Sequence, residues 1–85
     1  MSLTIQLRYF ASLREALGAG ETVTAAAGIT LGELRDALIA RGGRHADVLA
    51  RGRVVRVALQ QVMSDESALL SDGAEVAFFP PVTGG

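Results

Sequence analysis

The sequence predicts an α+β fold, a mixed sheet with one main helix packed across one of its faces. Three observations carry this expectation. Leu3, Ile5, Leu7 and Tyr9 alternate with Thr4, Gln6 and Arg8, the period of two that marks a half-buried strand. Leu31, Leu34, Ala37, Leu38 and Arg41 recur at three- and four-residue steps, the period of a helix with one buried stripe. Glu75 to Phe79 forms another apolar strand, and Pro80-Pro81 ends it because proline offers no donor to a sheet ladder.

The remaining elements follow in order. After the first strand, Ala11 to Leu17 reads as a short helix closed by Gly18. The first strand starts so near Met1 that no leader is expected before it. Glu21 to Ala26 is a second strand, although its alanines are poor strand formers. Thr30-Leu31-Gly32-Glu33 fits a capping box, in which the Thr30 hydroxyl and the Glu33 carboxylate satisfy free backbone donors at the start of the main helix. Gly32 costs that helix about 1 kcal/mol, and Gly42-Gly43 stops it. His45 to Gly52 reads as a loop with a turn of helix around Val48-Leu49. A third strand begins near Arg53, with Val55, Val57 and Leu59 on one face. A tight turn at Gln60-Gln61 leads to a short partner strand around Val62-Met63, and Asp72-Gly73 makes the turn before the last strand. The first and last strands, both apolar, are expected to sit centrally. This order is that of a β-grasp, the ubiquitin-like fold.

Composition removes whole classes of function. At 85 residues the chain fills one core, and 49% hydrophobic content is enough to fold it. There is no cysteine, so disulfides, thiolate metal sites and thiol catalysis are excluded. A net charge of -1 gives no general attraction to nucleic acid or anionic membrane. No apolar run approaches the ~20 residues of a membrane span, and a soluble cytoplasmic protein is the expectation. No metal site is expected. His45, the single histidine, lies between Arg44 and Asp47 and reads as a solvated loop residue. Arg51, Arg53 and Arg56 read as a solvated basic edge.

The segment Phe78-Phe79-Pro80-Pro81-Val82-Thr83-Gly84-Gly85 is the unusual part of the sequence. A strand anchors it, two prolines stiffen its exit, and two residues without side chains stand at its tip. The domain is therefore expected to span residues 1–81, with 82–85 as a tail. From Pro81 to Gly85 an extended chain reaches roughly 13 Å. That suits delivery of a carboxylate into a narrow channel of another protein, where any Cβ would obstruct the backbone.

The run Asp72-Gly73-Ala74-Glu75-Val76-Ala77-Phe78-Phe79-Pro80-Pro81-Val82-Thr83-Gly84-Gly85 resembles the ending of the molybdopterin synthase small subunits, the sulfur carriers of molybdenum cofactor synthesis. Leu7-Arg8-Tyr9-Phe10-Ala11-Ser12-Leu13-Arg14-Glu15 resembles that family's first strand and short helix. One departure is visible: the family commonly has Asn-Gln after the third strand, where this chain has Gln60-Gln61, and Gln adopts left-handed turn conformations less readily than Asn. The resemblance implies that Gly85 is the reacting residue, with Gly84 before it. A ubiquitin-activating-like adenylyltransferase would use MgATP to adenylate the Gly85 carboxylate, and sulfur from a sulfurtransferase would turn it into a thiocarboxylate. The large synthase subunit would then receive the tail and pass the sulfur to cyclic pyranopterin monophosphate, forming the dithiolene of molybdopterin within a heterotetramer. This chain would bind no cofactor itself and would not be catalytic alone.

The docking surface follows partly from strand alternation. Phe10 falls with the polar set of the first strand. Val76 and Phe78 share one face of the last strand, which leaves Phe79 on the other with Glu75 and Ala77. Exposed aromatics near a tail are typical partner anchors. Phe10, Met63 and Phe79 match the apolar contact positions of the family, and Pro80, Pro81, Val82 and Thr83 extend them into the tail. Three other readings stand beside this one, the last being a stand-alone interaction domain with an inert tail. The first is a sulfur carrier for thiamine, cysteine or tRNA thiolation, which the Phe-Phe-Pro-Pro ending disfavours. The second is a ubiquitin-like modifier; without lysine it cannot build lysine-linked chains on itself.

Overall fold

The computed structural model describes residues 2–80. Eight elements follow one another: β1 (Ser2–Tyr9), α1 (Ala11–Leu17), β2 (Gly20–Ala26), α2 (Leu31–Ala40), α3 (Gly43–Leu49), β3 (Arg56–Leu59), β4 (Val62–Ser64) and β5 (Glu75–Phe79). The five strands form one sheet in the order β2-β1-β5-β3-β4. β1 and β5 run parallel, and the other neighbours are antiparallel. The first strand is therefore internal and the last strand is the centre of the sheet, as the β-grasp order requires.

The core lies between one sheet face and the helices. Ile5, Leu7 and Tyr9 of β1, Val76 and Phe78 of β5 and Val57 of β3 meet Leu13, Leu31, Leu34, Leu38 and Leu49 from the helices. Tyr9 stacks on Phe78 with centroids 6.1 Å apart. The facing read from the sequence holds in both strands: Ile5, Val76 and Phe78 are fully buried in the core, although Ala77, on the other face of β5, is buried as well.

The capping box forms. Thr30 Oγ1 accepts from the Glu33 amide at 3.2 Å and Glu33 Oε1 accepts from the Thr30 amide at 2.9 Å. Gly32 has a packing reason to stand in the first turn. Its amide donates to the Glu66 carbonyl at 2.9 Å, and a Cβ there would meet Glu66 atoms at 3.0–3.2 Å. The loop before β5 is thus laid directly on the helix start.

Four expectations need correction. The buried stripe of α2 is Leu31, Leu34, Arg35 and Leu38, whereas Ala37 and Arg41 are exposed. The segment after Gly43 is a full helix, α3, and not a loop with one turn; Gly42 and Gly43 both adopt positive φ and reverse the chain directly into it. β2 begins one residue earlier, at Gly20, whose backbone packs so close that a Cβ would lie 2.2 Å from the Leu7 carbonyl oxygen. β3 is shorter than its apolar pattern suggested and begins at Arg56, because the Arg53 carbonyl is turned toward the Arg35 guanidinium. Gln60 and Gln61 both take the left-handed conformation, at φ 53° and 66°, so this chain makes the tight turn without asparagine or glycine.

Candidate functional site: the outer face of the sheet

In a sheet, residues directly opposite one another project from the same face. The register therefore assembles the face turned away from the helices. Arg8 of β1 lies opposite Ala77 of β5, Ala77 lies opposite Ala58 of β3, and Ala58 lies opposite Met63 of β4. In the next row Phe79 lies opposite Arg56. Phe10, one residue beyond β1, continues the ladder by donating its amide to the Phe78 carbonyl at 3.1 Å. Its ring meets Phe79 edge-on, with centroids 6.0 Å apart and planes at 75°.

These residues enclose a shallow depression of about 370 Å³ lined by Phe10, Ala58, Met63, Ala77 and Phe79, with Arg8, Gln61 and Glu75 at its margin. Ala58 and Ala77 form a buried floor, while Phe10 and Met63 are 42% and 55% exposed. Phe79 is half-buried and Phe10 holds one edge of it. Small residues in the middle and large apolar ones around them make a concave apolar patch, the form of a partner contact. The three apolar residues singled out from the sequence are thus brought together by β1, β4 and β5.

Pro80 follows Phe79 at the margin of a second groove of about 430 Å³ on the helix side, lined by Leu13, Val48, Val54 and Val55 among others. Pro81, Val82, Thr83, Gly84 and Gly85 lie outside the described residues, as does the expected domain boundary at residue 81.

Two polar clusters escaped the sequence reading. His45 is not a solvated loop residue: it sits on α3, half-buried, with Nε2 3.0 Å from Glu21 Oε2 and its ring edge-on to Tyr9. Tyr9 Oη donates to the same oxygen at 3.0 Å, and Arg41 Nη1 donates to Glu21 Oε1 at 2.8 Å. Burial works to raise the Glu21 carboxyl, but the hydrogen bonds from Arg41, His45 and Tyr9 outweigh it and hold the group below its ordinary value. Burial, reinforced by the Glu21 carboxylate, pushes the Tyr9 phenol well above its ordinary value. This cluster ties α3 and the end of α2 to β1 and β2.

The second cluster is built on Arg35, which is buried. Its guanidinium donates to the carbonyls of Leu49, Ala50 and Arg53 at 2.8–3.0 Å and to Glu66 Oε2 at 2.8 Å. Arg51, read from the sequence as part of a solvated edge, instead binds Asp36, Glu66 and the Gly32 carbonyl. Together the two arginines fix the chain from Leu49 to Arg53, and with it the start of β3. Both clusters lie on the helix side and shape the domain. Among the described residues no group of three or more histidine, aspartate or glutamate side chains is placed to hold a metal ion.

The ThiS family model matches residues 7–85. The molybdopterin synthase sulfur carrier subunit of Escherichia coli is 41% identical over 81 residues, which is 95% of this chain and 99% of that relative. The solution structure of a Haloferax volcanii protein superposes with a TM-score of 0.80 at 30% identity, covering 99% of this chain and 88% of the other. A chain from the complex of the two subunits of molybdopterin-converting factor from Helicobacter pylori superposes with a TM-score of 0.65 at 27% identity, covering 98% of this chain and all of that one. With the family model spanning nearly its whole length and a 41% identical relative matched almost end to end, the chain belongs to the ThiS family, among its molybdopterin synthase sulfur carrier subunits.

Proposed function

We propose that this chain is the sulfur-carrier subunit of a molybdopterin synthase and that its working group is the Gly85 carboxylate. The observation that supports this best is the convergence of Phe10, Met63 and Phe79 on the outer sheet face, at the end of the strand that leads into Pro80 and the Gly84-Gly85 segment. A partner that grips this patch takes hold of the domain next to the origin of the tail, which fixes where the tip can reach. The name of the Helicobacter pylori complex, a pair of subunits, supports the large synthase subunit as that partner.

The chemistry needs activation because a carboxylate is a poor electrophile. A ubiquitin-activating-like adenylyltransferase uses MgATP, with a Gly85 oxygen attacking the α-phosphorus and pyrophosphate leaving. The resulting acyl-adenylate has AMP as a good leaving group. The terminal sulfur of a sulfurtransferase persulfide displaces it to give an acyl disulfide, and a thiol reductant cleaves the S–S bond to leave the thiocarboxylate. The large subunit then directs this sulfur to cyclic pyranopterin monophosphate, and two deliveries complete the dithiolene. Catalysis belongs to the assembly; this chain supplies the sulfur and holds no cofactor.

Intact mass spectrometry tests the reading. Incubation with ATP, an activating partner and a sulfur source should raise the mass by roughly 16 Da, the difference between sulfur and oxygen. Deleting Gly85, or adding a residue after it, should abolish the gain. Undiminished loading of either variant refutes Gly85 as the site.

A further inference from the structure

Two exposed arginines stand on the outer face, Arg8 at the margin of the apolar depression and Arg56 beside it, opposite Phe79. Arg8 and Arg56 lie on either side of β5, opposite Ala77 and Phe79 respectively, and so stand two strand spacings apart, about 10 Å across the sheet. On its other flank Arg8 faces Gly20, which has no side chain to cover it. The Arg8 side chain is 60% exposed, and its Nε reaches Glu75 only at 4.0 Å. Arg56 is exposed, and none of the described carboxylates pairs with it. Arg35, Arg41 and Arg51 by contrast are all committed to ion pairs.

We propose that Arg8 and Arg56 determine which partner this face accepts: a protein that seats an apolar knob on the Ala58–Ala77 floor and sets a carboxylate against each arginine. The inference rests on the docking reading above and adds the chemistry of the partner's surface. Charge complementarity favours this occupant over two others. A second copy offers only Glu75 against the two arginines, so a twofold contact of this face with itself leaves cations without a carboxylate. A nucleic acid would find two arginines beside Glu75 on a chain of net charge -1, too few cations to hold a phosphate backbone. Charges at the rim of an apolar contact act mainly on association rate and on the rejection of wrong partners.

The test is a titration of the full chain against the large synthase subunit of the same organism, at low and high salt. The variants are Arg8→Glu, Arg56→Glu, the double reversal, the double change to lysine, and Phe79→Ala. The double reversal should slow association about tenfold or more and reverse or flatten the salt dependence, while the double lysine variant keeps most of the wild-type rate. Thermal unfolding of all arginine variants should match wild type, since both side chains are exposed. Equal binding by wild type and the double reversal, with Phe79→Ala impaired, overturns the arginine assignment and leaves the docking face standing. Failure of the wild type to bind, or unimpaired binding by Phe79→Ala, removes the docking face and this inference with it. Self-association of the wild type through this face, or capture of single-stranded nucleic acid that the double reversal abolishes, also overturns it.

Discussion

Phe78 and Phe79 are consecutive residues of β5 that serve opposite faces of the sheet. Phe78 is fully buried and stacks on Tyr9, and Phe79 lies on the outer face against the edge of Phe10. One strand thus contributes an anchor to the core and an anchor to the surface within a single peptide step.

The two rings should separate stability from binding. Phe78→Ala opens a cavity in the core and should cost about 3–5 kcal/mol of folding stability. Phe79→Ala should leave the domain folded and weaken binding to the large subunit by about 2 kcal/mol or more, as truncation of a central aromatic anchor does. Thermal unfolding of each isolated variant, followed by calorimetric titration, checks both. If Phe79→Ala unfolds the domain and Phe78→Ala does not, the facing of β5 is refuted.

Gly84→Ala should leave folding within about 0.5 kcal/mol of wild type, since it follows every described core element in the sequence. Its effect should appear in sulfur transfer, where a methyl group in a channel shaped for glycine displaces the reacting end. Single-turnover transfer from fully loaded protein is the measurement. Equal rates for both proteins would mean that the channel has room to spare.

Arg35→Met should destabilise the domain by about 2–4 kcal/mol. The loss leaves the carbonyls of Leu49, Ala50 and Arg53 without their donor and takes one cation from Glu66. Arg35→Lys should recover only part of it, because an ammonium cannot reproduce the planar fork of a guanidinium. Urea unfolding at neutral pH measures both. A lysine variant as stable as wild type would show that charge alone matters there.

Stability should fall in acid through Glu21. Its folded-state pKa lies below the ordinary 4.5, so its contribution is complete above pH 4.5 and is lost as the pH drops through the depressed value. Glu21→Gln should lower stability at pH 7 and make the decline below pH 4.5 shallower. Some decline remains, because hydrogen bonds from Arg51 to Asp36 and Glu66 depress those carboxyls as well. Parallel acid limbs for the two proteins would exclude Glu21 as a contributor.

Much of this fold was legible wherever one local pattern dominated. β1 alternates without interruption, and β5 is an apolar run that Pro80 ends, so both strands and their central position are readable, and Thr30 with Glu33 announces the start of α2. Illegible features were those decided by tertiary contact. The burial of Arg35 is hidden because a charged residue is expected outside, yet it lies four residues after Leu31 and so on the same face. α3 has no side-chain cap and begins with glycine, which hides a helix stabilised by docking through Leu49. The setting of His45 is hidden because Glu21, its partner, is 24 residues away. For the candidate surface, alternation revealed Phe79 and Phe10, while the alanine floor between them required the register of β3 on β5.

The central strand of the sheet is also its last strand in sequence, with β1 and β3 on either side of it. During synthesis those two neighbours emerge first and have no common edge to pair along. Before β5 is available, β1 can pair only with β2 and β3 only with β4, and the helices lack the central strand they pack on. Core formation therefore waits for long-range pairing that links the two extremes of the chain. A chain interrupted before Glu75 loses the centre of its sheet together with the Gly84-Gly85 segment.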